Sequence, residues 1–95
     1  IVMGDMNDTP ETPVIMRIRG LDDIWQDLIQ TANEVPIEDR YTYIYQEEKN
    51  LLDHILLSPN LYKYFRQVQQ EKRCNIIGLE NISDHRGVLA RVLIE

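Results

Sequence analysis

Three polar clusters interrupt apolar, strand-like stretches of this sequence, and each carries ionisable or amide side chains. The first is Gly4-Asp5-Met6-Asn7, the second is Leu52-Asp53-His54-Ile55, and the third is Ser83-Asp84-His85. Burying such side chains is unfavourable unless they are paired or bind a charge. Three separate interruptions in a chain of 95 residues therefore predict that the polar side chains meet in one shared site.

His85 is the side chain in these clusters that is best suited to move protons. With an unperturbed pKa of about 6.5, a neutral imidazole can accept a proton from water at physiological pH. Such a histidine needs a second group to hold its tautomer, and a buried carboxylate can do this. Strand alternation puts Asp53 in one row with Leu51 and Ile55, where an unpaired carboxylate would be unfavourable. We therefore expect Asp53 to pair with His85.

His54 is expected to have a different role, although it is the direct neighbour of Asp53. In a strand, successive side chains point to opposite faces, so His54 shares its face with Leu52 and Leu56. An imidazole in such a row is most simply a buried side chain with its own hydrogen bonds. The pattern therefore predicts a structural role for His54.

The order and content of the three clusters resemble the endonuclease/exonuclease/phosphatase superfamily, the DNase I-like metal-dependent phosphoesterases. The family pattern has a strand ending in Gly-Asp-x-Asn, a later strand with Leu-Asp-His/Tyr-Ile, and a terminal Ser-Asp-His. Gly4 to Asn7, Leu52 to Ile55 and Ser83 to His85 match these elements in that order. Each motif alone is a weak indication, and the resemblance is specific because all three occur in the same order over nearly the whole chain.

The resemblance implies hydrolysis of a phosphoester, in the nuclease and phosphodiesterase class, by a water that a histidine activates. It implies that Asp53 and His85 pair, that Asp5 orients the water, that Asn7 contacts the phosphate, and that Asp84 is associated with the metal. The expected cation is Mg²⁺, with Mn²⁺ as an alternative, since both suit oxygen ligands. Nucleic acid, lipid, sugar and inositol phosphates all stay open as substrates.

The fold class that the sequence predicts is α/β, as part of a two-sheet sandwich with outer helices. By resemblance, residues 1–95 form the C-terminal portion of one DNase I-like domain with a four-layer fold. The family's first half supplies an Asn and the main metal-binding Glu, and neither has a counterpart here. We therefore expect the chain by itself to be inactive.

Each residue of the site also has a simpler explanation. Asp5 and Asn7 could form an Asx-turn that only caps the loop backbone. Asp84 could be a turn residue that bonds the backbone of the next strand. Arg86 could contact a phosphate, although an exposed salt bridge is the simpler expectation. The tyrosine row at 41, 43 and 45 could stack on bases or pack against a helix.

Charge and composition limit the classes of function. The formal net charge is −6 and the isoelectric point is about 4.8, which argues against a free-standing nucleic-acid binder. Clustered carboxylates remain compatible with a metal-dependent enzyme, because the cation offsets their charge. Cys74 is the single cysteine, so no internal disulfide can form. No apolar stretch reaches the length of a membrane span.

Local signals predict the elements that must position these residues. Thr12 and Gly20 should cap a helix over residues 13–19, and Ser58-Pro59 should begin another helix. The apolar spacing over residues 21–32 predicts an amphipathic helix that includes Trp25. Strands are expected at residues 1–3 (buried), 41–45, 51–57, 74–79 and 87–94, with residues 46–50 as a hairpin loop.

The second hypothesis is a module without catalytic activity. Half of a two-sheet sandwich should expose an apolar face, and large exposed apolar patches are rare on soluble monomers. The chain would then self-associate, as a homodimer through the exposed sheet face.

Overall fold

Seven short strands and three helices make up most of the regular structure in the residues that the computed structural model describes, which are 1–19, 28–79 and 82–94. The elements are β1 Val2–Asp5, α1 Pro13–Arg19, β2 Ile29–Gln30, β3 Tyr43–Tyr45, β4 Glu48–Asn50, β5 Asp53–Leu57, α2 Pro59–Arg66, α3 Gln70–Arg73, β6 Cys74–Ile77 and β7 Gly87–Ala90. Two 3₁₀ turns, Thr31–Glu34 and Ile37–Asp39, lie between β2 and β3. The chain is therefore a small mixed α/β domain.

The described strands form three small antiparallel sheets. Strand β5 lies between β1 and β2 in the first, β3 pairs with β4 in the second, and β6 pairs with β7 in the third. In the β1–β5 pair, Asp5 lies opposite Asp53 and Gly4 lies opposite His54. This register brings the first polar cluster of the sequence against the second.

The apolar core lies between β5, α2, β6 and the first 3₁₀ turn. Its buried members are Ala32, Val35, Leu51, Leu57, Phe65, Cys74 and Ile76. Helix α2 begins as the sequence predicts, because the Ser58 hydroxyl accepts a hydrogen bond from the Leu61 amide and Pro59 occupies the first turn. Burial raises the pKa of the Cys74 thiol, so this side chain packs as a small apolar group.

The prediction of an amphipathic helix over residues 21–32 is wrong for the C-terminal part of that range. Ile29 and Gln30 form β2 and pair with Leu57 and Leu56, and the chain then turns through the 3₁₀ turn Thr31–Glu34. Pairing with β5 determines the structure here, because a local preference for helix is weak and tertiary contacts routinely override it. Residues 20–27, which include Gly20 and Trp25, lie outside the described residues.

The predicted hairpin exists, but its turn is tighter than expected. Strand β4 occupies residues 48–50, which the sequence assigned to the loop. Only Gln46 and Glu47 remain as the turn, with φ values of 49° and 69°. Positive φ at both central positions is typical of a type I′ turn, and the hairpin closes here without the glycine that usually provides it.

The strand predicted over residues 1–3 is present as β1 but extends to Asp5, and the expectation that it is buried is wrong. All four of its residues are exposed, and Ile1 and Met3 retain 70% and 69% of their accessible surface. The strand lies at the edge of its sheet, where β5 covers only one side of its backbone.

The strands predicted over 74–79 and 87–94 are confirmed at β6 and β7, with shorter C-terminal ends. Among the described residues, no helix is long and apolar enough to cross a membrane.

Phe65 provides a test of this core. Its side chain is fully buried, so Phe65→Ala should lower the free energy of unfolding by about 3–5 kcal/mol. Arg66→Ala, at the exposed neighbouring position of α2, should change it by no more than about 0.5 kcal/mol. Urea unfolding followed by circular dichroism measures both. Equal losses in the two variants would contradict the placement of the core.

Candidate functional site

Two carboxylates face each other across the β1–β5 pair. Asp5 is the last residue of β1, Asp53 is the first residue of β5, and the antiparallel register makes them direct partners. Like charges opposite one another in a sheet are destabilising. The pair therefore needs a nearby donor or cation.

His85 provides that donor. Its Nδ1 lies 2.6 Å from Asp53 Oδ2, and its Nε2 lies 3.9 Å from Asp5 Oδ2. The side chains of His85 and Asp53 are 25% and 21% exposed, whereas that of Asp5 is 52% exposed. The expected hydrogen bond between Asp53 and His85 is confirmed. Because a carboxylate only accepts, Nδ1 carries a hydrogen and the neutral ring leaves Nε2 as an acceptor.

The surroundings of His85 raise its pKa above the usual value of 6.5. The hydrogen bond that His85 donates to Asp53 is the largest cause, and partial burial opposes it. The negative charges of Asp53, Asp5 and Asp84 add further increases. Protonation of His85 is therefore coupled to all three neighbouring carboxylates, and most strongly to Asp53.

The segment that carries His85 is held at three points. The Ser83 hydroxyl accepts a hydrogen bond from the His85 amide at 3.1 Å. The Arg86 amide donates to the Thr42 carbonyl at 2.7 Å. The Tyr43 ring lies against the imidazole, with the ring centroids 4.9 Å apart. Two of these contacts hold the backbone at His85 and Arg86, and the third holds the imidazole ring.

Arg86 has a structural role that neither sequence interpretation anticipated. Its guanidinium donates to the backbone carbonyls of Asp39, Tyr41 and Ile76, and it stacks over the Tyr41 ring at 4.2 Å. It makes no salt bridge with any of the described residues. The expected exposed salt bridge is therefore wrong, and Arg86 instead joins the segment after His85 to β6 and to the residues before β3.

Asp5 and Asn7 form an Asx-turn. Asp5 Oδ1 accepts a hydrogen bond from the Asn7 amide at 2.9 Å, and Asn7 has a φ of 50°. The other oxygen of Asp5 still faces His85, so this carboxylate both closes the turn and belongs to the cluster. The Asn7 side chain is exposed and bonds to no other residue within the described ranges. The structure therefore brings Asp5 to His85 but leaves Asn7 at the surface.

Asp84 lies beside the cluster rather than in it. Asp5, Asp53 and His85 are the described groups whose ligand atoms lie within 4.8 Å of one another, as donors for one cation would. Asp84 is exposed, and its carboxylate accepts no hydrogen bond from the residues described. Its charge still acts on His85, which places it near the same edge of the fold.

His54 occupies the opposite face of β5, as strand alternation predicts. It is 1% exposed, and its Nε2 donates to the Asp8 carbonyl at 2.7 Å. Its Nδ1 accepts a hydrogen bond from Gln30 Nε2 at 2.8 Å. Both ring nitrogens are satisfied, so His54 joins β2 to the turn after β1 and has no free atom for chemistry. The sequence missed Gln30 because the helical spacing placed it on a helix.

Two shallow depressions adjoin the cluster. One, of about 250 Å³, extends along the strands beside Asp5 and Asp53 and is lined by Met3, Gly4, Asp5, Asp53, His54, Ile55, Arg86, Gly87 and Val88. The other, of about 360 Å³, lies on the side of Tyr43 and Asp84. The larger is at the lower end of the size range of small-molecule sites, and the smaller is below it.

No family model, curated protein or solved structure matches this chain. The interpretation of the site therefore depends on the geometry of Asp5, Asp53 and His85 and on the motifs that contain them.

The pKa of His85 tests whether Asp53 affects this histidine more strongly than Asp5 does. Asp53→Asn should bring the pKa down toward 6.5, because it removes the main cause of the increase. Asp5→Asn should lower it less, since Asp5 acts through charge alone. Titration of the His85 ring protons by NMR measures both variants. A larger decrease for Asp5→Asn would contradict the assigned geometry.

The same pair makes stability depend on pH. A histidine whose pKa is raised on folding stabilises the native state fully below the unfolded pKa of about 6.5. This contribution is lost as the pH rises through the higher folded pKa. The free energy of unfolding of the wild type relative to His85→Gln should therefore decrease from pH 6 toward neutral and alkaline pH. Urea unfolding across that range measures it, and a difference that increases with pH would have the wrong sign.

Proposed function

We propose that this chain carries the proton-transfer half of a metal-dependent phosphoester hydrolase, of the endonuclease/exonuclease/phosphatase kind that its motifs resemble. The observation that carries the proposal is the Asp53–His85 hydrogen bond of 2.6 Å, with the free Nε2 of His85 directed toward Asp5. A histidine held in one tautomer by a carboxylate is suited to act as a general base.

A water molecule that lies beside the line joining Nε2 and Asp5 Oδ2 can contact both atoms. The two atoms are 3.9 Å apart, so one water can lie within about 2.8 Å of both. Asp5 would orient this water and His85 would take its proton as the oxygen attacks phosphorus. The bond from phosphorus to the leaving oxygen breaks, and that oxygen takes a proton from solvent.

Asp53 then has two tasks. It keeps the hydrogen on Nδ1, so that Nε2 is the atom that accepts the water's proton. It also stabilises the imidazolium that forms, because the charge develops 2.6 Å from the carboxylate. Because the pKa of His85 is raised, the base becomes free at a higher pH than an ordinary histidine does. Activity should therefore rise with pH through the neutral range.

The donor set suits Mg²⁺ or Mn²⁺ at the exposed carboxylates. Such cations are usually held by one or two carboxylates together with substrate phosphate. Asp84 is exposed and uncommitted among the described residues, and the Asp5 side chain is half exposed. When bound, the cation would neutralise charge on the phosphoryl oxygens. Asp53 Oδ2 and His85 Nδ1 already bond each other, which argues against a site that uses all three clustered groups.

The proposal extends to the fold and the substrate. The small mixed α/β domain, with antiparallel sheets and flanking helices, would be the C-terminal part of a DNase I-like sandwich, and the exposed amide of Asn7 would contact the phosphate. The acidic surface favours a small phosphodiester over duplex DNA, since duplex binding depends on neutralised phosphates.

Turnover of a generic phosphodiester with Mg²⁺ tests the proposal. In the natural polypeptide that contains this sequence, His85→Ala should lower turnover by about 10²–10⁴-fold, because it removes the general base. His54→Ala should have a much smaller effect per folded molecule, since both of its nitrogens are occupied by Asp8 and Gln30. Thermal unfolding of each variant gives the folded fraction. Equal losses of turnover in the two variants would reject the assignment.

Self-association is the second candidate function, and the exposure of β1 favours it. Met3, on this edge strand, and Ile1, immediately before it, are both largely exposed, and the outer side of the strand is open within the described residues. Such edges readily pair with another chain. The occupant that we expect is a second copy of this chain.

Residues 1–95 should then be dimeric in light scattering, and Met3→Lys should shift them to monomer by placing a charge on that edge. The same sample should show negligible hydrolysis with Mg²⁺. A stable monomer would reject the second candidate. Metal-dependent turnover that His85→Ala abolishes would show that the chain needs no further residues for catalysis.

A further inference from the structure

Thr42 connects the two halves of the Asp53–His85 pair. It is fully buried, and it lies immediately before β3 between two partly exposed tyrosines. Its hydroxyl oxygen accepts hydrogen bonds from the amides of Leu52 at 3.0 Å and Asp53 at 3.2 Å. One side chain therefore holds the backbone at the first residue of β5.

The backbone of Thr42 holds the other half. Its carbonyl accepts the 2.7 Å hydrogen bond from the Arg86 amide, one residue after His85. Its own amide donates to the Asn50 carbonyl at 2.9 Å, which continues the β3–β4 pairing by one residue. Thr42 is thus attached to the hairpin and contacts both segments that carry the pair.

We propose that Thr42 is a positioning residue for Asp53 and His85, and that its hydroxyl sets the distance between them. Asp53 and His85 are 32 residues apart, on β5 and on the segment before β7, so their 2.6 Å contact depends on how these two segments are held. The hydroxyl has two lone pairs, and the two amides use both of them. Without it, both amides lose their acceptor, and the start of β5 must move to satisfy them elsewhere.

This inference deepens the proposed function and rests on it only for the statement that the pair is catalytic. The contacts of Thr42 and the hydrogen bond that it positions are independent of any substrate. The test can therefore be made without turnover, and it can fail separately from the proposed hydrolysis.

The chain offers a matched control at Thr31. This second threonine is also fully buried, and its hydroxyl donates to the Ile55 carbonyl of β5 at 2.9 Å. Thr31→Val removes the same hydroxyl and preserves the same shape as Thr42→Val. It does so two residues farther along the strand, away from Asp53. A general loosening of β5 would appear in both variants.

The readout is the NMR signal of the His85 Nδ1 proton, which a short hydrogen bond to a carboxylate shifts downfield and protects from exchange with water. We expect Thr42→Val to lose this signal or shift it upfield. Thr42→Ser, which keeps the hydroxyl, should retain it, and so should Thr31→Val. With a phosphodiester substrate, turnover should follow the same order.

Two results would overturn the proposal. One is an unchanged signal in folded Thr42→Val, and the other is an equal loss in Thr42→Val and Thr31→Val. Thr42→Ser tests the proposal even where Thr42→Val does not fold. If the γ-methyl rather than the hydroxyl positioned the pair, the serine variant would lose the signal, and the proposed role of the hydroxyl would be wrong.

Discussion

The site depends on one electrostatic constraint, which is that two carboxylates face each other across a pair of strands. The register of β1 and β5 puts Asp5 opposite Asp53, and this arrangement is unfavourable by itself. His85 relieves it by donating to Asp53 and, when the ring is protonated, by placing its second N–H toward Asp5. The same constraint raises the pKa of His85, so the stabilising contact also tunes the proposed base.

A small domain cannot fix such a geometry by apolar packing alone. The cluster lies at one end of β5, whereas most of the core packs around the other end against α2 and β6. Side-chain hydrogen bonds to backbone hold the cluster instead. Thr42 binds the amides at the start of β5, Ser83 binds the amide of His85, and Arg86 binds three carbonyls. Such contacts direct the backbone and need little buried area.

The two histidines show how one strand separates structural and reactive groups. His54 and Asp53 are neighbours in sequence, but the alternation of β5 sends them to opposite faces. His54 has both nitrogens occupied within the fold, by Asp8 and Gln30. His85 has one nitrogen held by Asp53 and the other directed at a gap beside Asp5. Only the second arrangement leaves an atom that can exchange a proton with a bound molecule.

The sequence by itself determined the features that depend on neighbouring residues. The cap at Ser58, the helix Pro13–Arg19 and the opposite faces of Asp53 and His54 follow from local rules, and the structure confirms them. The pairing of Asp53 with His85 also followed, because an apolar row containing one carboxylate demands a partner. The motif resemblance indicated where that partner lies in the chain.

Only the tertiary structure decided the features that depend on distant segments. Nothing in the spacing of residues 28–32 reveals that β5 offers its edge to Ile29 and Gln30, so a helix was predicted there. A threonine between two tyrosines gives no sign that its hydroxyl will meet the start of β5 ten residues later. Likewise, Ile1 and Met3 have the composition of a buried strand, yet they are exposed at a sheet edge. Register, edge position and hydrogen bonds between segments arise when remote parts of the chain meet, and local preferences do not encode them.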